Sequence, residues 1–132
     1  MSQKSTDWNT FYRLHLKGNQ AISALRFFYP NFVEMEGSIF LEEQLSTLDY
    51  GAVKNRVGAN KEALEKAIND VDFTDIIDWD LSDKELHEFV QQVCTLWKQK
   101  LREEFPMRHF RVEIVDFSGD GAWGITFFES KD

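Results

Sequence analysis

The stretch SDKELHEFVQQVCTLWKQKLREEFP (residues 82–106), followed by HFRVEIVDF (109–117), SGDG (118–121) and WGITFFE (123–129), decides the fold class. Ser82-Asp83-Lys84-Glu85 has the form of a capping box, in which a serine hydroxyl and a glutamate carboxylate each satisfy an amide left free at a helix start. Leu86, Phe89, Val90, Val93, Trp97 and Leu101 recur on one helical face, until Phe105-Pro106 ends the run because proline cannot continue a helix. Beyond it the apolar period drops to two. Phe110, Val112 and Ile114 share one parity, and so do Trp123, Ile125 and Phe127, with glycine-rich turn chemistry between them. These are the expected core-facing sets, leaving Arg111 and Glu113 outward beside Phe128 or Thr126. A long amphipathic helix feeding a hairpin predicts an α+β fold. About four to five helices should pack on one face of a small antiparallel sheet that includes the C-terminal β-hairpin.

Upstream, Trp8, Phe11, Tyr12 and His15 have helical spacing after Ser5 and Thr6, with Gly18 as a stop; 11–16 also fits an alternating strand. Asn19 can cap a short helix through Phe28, and Pro30 forbids its continuation. Residues 32–41 read as extended chain, and Gly37 allows either one strand with a bulge or two short strands around a turn. This segment is expected to join the hairpin's sheet. A helix over 47–57 would end at Gly58, and Asn60 can cap another, with Leu64, Ala67, Ile68 and Val71 as its buried stripe.

The chain of 132 residues is long enough for one core, and no linker, repeat or low-complexity tract divides it, so 1–132 are expected to form a single α+β domain. Twelve Phe and four Trp supply that core amply. Cys94 is the only cysteine, which excludes an intramolecular disulfide and favours a reducing compartment. The opening residues lack the apolar run of a signal peptide, and no segment approaches a membrane span, so a cytoplasmic protein without membrane association is expected. A net charge of −8 argues against binding a phosphate backbone, so nucleic acid is not an expected partner.

That charge is concentrated. Between Asp70 and Glu88 lie eight carboxylates and one cation, Lys84, a net −7, while the flanking sequence is close to neutral. A field of one sign steers a partner of the other. Asp80, Asp83 and Glu85 are explained by the start of the Ser82 helix, where carboxylates offset the exposed amides. Asp72, Asp75 and Asp78 are not; in a helical turn they would form an outward stripe anchored by Phe73, Ile76 and Ile77.

Other motifs dissolve on inspection. Asp116 to Gly121 matches the first six positions of a calcium loop, but position twelve is Phe127 in place of the required glutamate, and strands flank it. Gly119-Asp120-Gly121-Ala122-Trp123-Gly124 is a formal G-x-G-x-x-G with no helix after it to receive a pyrophosphate. Cys94 and His87 are seven residues apart, about 10.5 Å along a helix at 1.5 Å per residue, too far for a direct thiolate–imidazolium pair. Three scattered histidines make no zinc spacing.

The expected function is therefore a non-catalytic protein-binding module, such as an inhibitor, immunity factor or adaptor. It would offer an acidic surface within 70–88, with Asp72, Asp75, Asp78 and Asp80 as contact residues, to a basic protein partner. No catalytic residue, metal site or cofactor is assigned. The alternative is a small-ligand-binding or catalytic domain whose pocket is lined by aromatics from Phe27, Phe28, Tyr29, Phe32 and Phe40, with a carboxylate or His15 as the polar group. Self-association as a homo-oligomer, through exposed aromatics or the hairpin's edge strand, is a third reading.

Overall fold

The computed structural model describes residues 18–75 and 82–131. The elements are α1 (Gly18–Phe28), β1 (Phe32–Met35), β2 (Ser38–Leu41), α2 (Glu42–Thr47), α3 (Tyr50–Val57), α4 (Lys61–Asn69), β3 (Val71–Asp72), a 3-10 turn (Phe73–Asp75), α5 (Asp83–Glu104), β4 (Phe110–Asp116) and β5 (Trp123–Glu129). The mixed α+β class and the C-terminal hairpin are as the sequence predicts. The helix expected after Ser5 and Thr6, and the alternative strand over 11–16, lie outside the described residues.

Helix α5 carries the full capping box: Glu85 N donates to Ser82 Oγ at 3.2 Å, and Ser82 N donates to Glu85 Oε1 at 3.0 Å. Its Val90, Val93, Trp97 and Leu101 are buried against the hairpin, each large side chain contributing about 1.5–3 kcal/mol of transfer free energy. The hairpin register pairs Val112 with Phe127 and Ile114 with Ile125, placing the two expected apolar sets together under α5.

The sheet differs from expectation in two ways. Strands β1 and β2 form their own two-stranded sheet, while β3, β5 and β4, in that order, form a second. The one-sheet expectation fails because β2 meets β5 through a side chain. Asn69, fully buried at the end of α4, accepts from Leu41 N at 2.9 Å and donates from Nδ2 to Ile39 O at 3.1 Å and Phe127 O at 3.3 Å. It thereby satisfies the edge of one sheet and the middle of the other, groups that would be costly to leave unpaired. Helices also cover both faces of β5: α5 lies on the Ile125 and Phe127 side, while α4 covers Thr126 and Phe128, with Lys66 Nζ 4.4 Å from the centre of the Phe128 ring. Residues 124–128 are consequently all buried.

Strand β2 is buried along its whole length for a similar reason. Ile39 and Leu41 face the main core with α5, and Phe40 faces a second cluster with Val53, Leu64 and Ile68 of α3 and α4. Of the two alternatives at Gly37, the two-strand form holds: Glu36 (φ 52°) and Gly37 (φ 86°) make the two-residue turn whose twist suits a hairpin. Gly124 is required by contact, because a Cβ there would lie 2.1 Å from Val71 O, across the β3–β5 pairing.

Several boundaries move. Gly18 is itself helical, the first described residue of α1, and Asn19 lies within that helix in place of capping it. The helix expected over 47–57 begins at Tyr50, where Asp49 leaves helical geometry and its Oδ1 caps α3 by accepting from Ala52 N at 3.1 Å, and Thr47 instead ends α2, a helix not expected from the sequence. Asn60 caps α4 as expected, accepting from Ala63 N at 3.0 Å, and Gly58 ends α3 at φ 75°. Val71 belongs to β3 and not to the α4 stripe.

Candidate partner-binding surface

The acidic stretch divides by what each carboxylate touches. Asp70, just past α4, is half-buried; burial raises its carboxyl above the usual range, opposed by the Thr126 hydroxyl and the charge of Lys66. Asp72 Oδ1 accepts from Thr74 N at 3.0 Å and from Thr74 Oγ1 at 2.6 Å, which closes the 3-10 turn. That turn is anchored by Phe73, fully buried with its ring 4.7 Å from Phe27 and within 6.3 Å of Phe89 and Trp97. Asp75 ends the turn. Asp78 and Asp80, with Ile76 and Ile77, lie outside the described residues. At the start of α5, Glu85 is held below the usual carboxylate range by the Ser82 backbone N–H, and Asp83 sits against Gly121 of the hairpin loop. Glu88 is exposed.

The Asp72 carboxylate thus serves its own turn through Oδ1 as well as adding to the charge of the stretch. The signal was present: Asp72-Phe73-Thr74 has the spacing of an aspartate that bonds the backbone two residues on. A further feature is not visible in sequence. Among the described residues, Glu34, Glu36, Glu43, Glu62, Glu65, Glu104, Glu113 and Glu129 all form ion pairs. No such pair includes Asp70, Asp72, Asp83, Glu85 or Glu88, although Lys84 and Glu88 are one helical turn apart.

The remaining chemistry is structural. Cys94 is buried, its thiol pushed up by burial and its Sγ donating to Val112 O at 3.6 Å, which makes it a poor nucleophile. His87 packs on Trp123 with ring centres 4.5 Å apart. In the calcium-like loop Asp116 receives the amides of Gly119 and Gly121 at 2.9 Å and Ala122 at 3.0 Å, and these donors hold it below the usual range. Its oxygens are therefore spent closing the loop. Among the described residues no group of three His, Cys, Asp or Glu side chains is placed to hold a metal ion. No helix there is long and apolar enough to cross a membrane.

Two clefts offer other sites, the first of them bordering the start of the acidic stretch at Val71. One, of about 250 Å³, has walls of Phe27, Pro30, Leu41, Val71 and Trp97 and a polar rim of Ser23, Arg26, Glu43 and Gln44. Of the five aromatics expected to line a pocket, Phe27 lines this cleft and the other four do not. Phe28 packs on Phe89, Phe32 on Phe127 and Phe40 on Tyr50, while Tyr29 is exposed and donates to Glu103 Oε1 at 2.5 Å. The other, about 520 Å³, lies between α4 and the end of β5, where Lys61 bridges Glu129 at 3.0 Å and buried Glu65 at 3.9 Å. Comparison with protein-family models, curated proteins and solved structures finds no match, so any functional reading rests on this chain's own residues.

Proposed function

We propose that the chain is a non-catalytic protein-binding module that presents the acidic surface within residues 70–88 to a basic protein, in the manner of an inhibitor, immunity factor or adaptor. The observation that carries this reading is the missing compensation. Eight of the thirteen described carboxylates outside 70–88 form an ion pair, whereas the described carboxylates of 70–88 have no ion-pair partner among the described residues. An uncompensated field accelerates association with an oppositely charged surface and discriminates against acidic ones. Asp72, Asp75, Asp78 and Asp80 are the contact residues in this reading, with Asp72 also closing the 3-10 turn that ends at Asp75. A cytoplasmic location is part of the same proposal, consistent with one buried thiol.

The test is retention of proteins from a native lysate on the immobilised chain at low and high salt. Basic proteins should be retained at low salt, released as salt rises, and lost when Asp75→Asn, Asp78→Asn and Asp80→Asn are combined. Retention that is flat with salt, or indifferent to the triple variant, would sink the reading. The cleft walled by Phe27 and Trp97 supports a second one, a small apolar ligand with a polar end at Arg26 or Gln44. Native mass spectrometry of the gently purified chain distinguishes the two, since a retained small molecule adds mass that does not depend on salt.

A further inference from the structure

We propose that the free edge of β4 receives an acidic, extended peptide segment as an added strand, at a surface separate from the acidic stretch. The backbone geometry fixes which groups are on offer. Ser130 N donates to His109 O at 2.7 Å and Phe117 N to Ala122 O at 3.0 Å, and the register between them is unbroken. Odd-numbered residues of β4 therefore direct their backbone groups to β5, and even-numbered ones direct theirs away from it. No strand pairs with that side among the described residues, because β4 ends the order β3-β5-β4. Among the described residues, the hydrogen bond on that side is the weak one from Cys94 Sγ–H to Val112 O at 3.6 Å.

Charge selects the occupant. A groove of about 140 Å³ beside this edge is lined by Lys98, Leu101, Arg102, His109, Phe110 and Val112. Lys98 and Arg102 are exposed, one turn apart on α5, and neither has a carboxylate partner among the described residues. Arg111 is exposed on the opposite face of the strand, paired with Glu113 at 3.4 Å. A strand laid along β4 meets unpaired cations on its α5 side, so acidic side chains there gain ion pairs while backbone hydrogen bonds supply register. Isologous pairing of two copies through β4 is disfavoured, because it brings Lys98 and Arg102 of both copies toward one axis.

The experiment uses the full chain and three labelled, acetylated peptides: alternating valine and glutamate, alternating valine and lysine, and the glutamate peptide N-methylated at every second residue. Fluorescence anisotropy should register binding of the first alone. Hydrogen exchange at the Val112 and Ile114 amides should slow when it binds. Lys98→Glu combined with Arg102→Glu, both on the surface, should weaken it by about tenfold or more while leaving the circular dichroism spectrum unchanged. Equal binding of acidic and basic peptides, indifference to N-methylation or to the double variant, or exchange protection elsewhere would overturn the proposal. So would a dimer in light scattering with Val112 and Ile114 already protected.

Discussion

The junction between the two sheets and the acidic stretch after it begin one residue apart, at Asn69 and Asp70, and use polar side chains in opposite ways. At the junction, Glu65 accepts from Glu129 N at 2.8 Å, and Glu129 takes Arg108 at 2.8 Å and Lys61 at 3.0 Å. Arg108 reaches on to Glu34 at 3.3 Å and to Gly37 O at 2.6 Å in the first hairpin. Every bond in that set links elements distant in sequence. In the acidic stretch, Asp72 and Glu85 bond atoms two or three residues away. Cross-chain pairing holds tertiary structure and cancels charge; local capping holds a turn or a helix start and leaves the charge uncancelled. An uncompensated field is therefore what local use of carboxylates leaves behind.

The sharpest way to break the comparison is at its boundary. Asn69→Leu strands Leu41 N–H, Ile39 C=O and Phe127 C=O in a region with no exposure, and at about 1–3 kcal/mol for each buried group left unsatisfied, a loss of about 4 kcal/mol is expected. Urea denaturation followed by tryptophan fluorescence measures it. A loss below about 1 kcal/mol, the net worth of one ordinary hydrogen bond, would mean that the two sheets are held by apolar contact alone.

That same residue marks the limit of what the sequence discloses. Helix α5, its capping box, the Asn60 cap, the Gly58 stop and the β4–β5 hairpin were legible because each is set by residues within a few positions of one another. The partition into two sheets was not, since it depends on a side chain bonding two strands that lie 30 and 58 residues away. One clue was available: 125–128 reads Ile-Thr-Phe-Phe, apolar on both parities, as a strand covered on both faces should be, whereas β4 alternates with Arg111 and Glu113. The charge of 70–88 was equally plain in the sequence. Its lack of cationic partners was not, because ion pairing is decided by which elements meet.

A smaller effect tests the junction's electrostatics. Glu129 is held below its usual 4.5 mainly by hydrogen bonds from Arg108, with Lys61 adding and burial opposing. A carboxylate whose folded-state value is depressed contributes stability that is fully present above the unfolded value and disappears as pH falls through the folded one. Glu129→Gln should therefore cost about 1–2 kcal/mol at neutral pH, as a partly buried charge-assisted pair would. The gap to the parent chain should close as pH drops below 4.5. Denaturation curves at neutral and acid pH read this directly, and a gap that persists unchanged in acid would assign the cost to packing in place of charge.

Across the boundary the sign reverses. Asp70 is raised above its usual 3.8 by burial, which the Thr126 hydroxyl and Lys66 only partly offset. The folded state holds that proton more tightly than the unfolded chain does, so ionisation of Asp70 opposes folding, and the penalty is complete above the folded-state value and gone below 3.8. Asp70→Asn should then stabilise the chain at neutral pH, within about 1 kcal/mol, since an amide keeps the contact with Thr126 without a buried charge. The advantage should shrink in acid, and the same denaturation series measures it. Glu129→Gln and Asp70→Asn thus remove one negative charge each, one at the end of β5 and the other at the entry to β3, yet shift neutral-pH stability in opposite directions. If both destabilise, Asp70 belongs with the paired junction and the uncompensated stretch begins at Asp72.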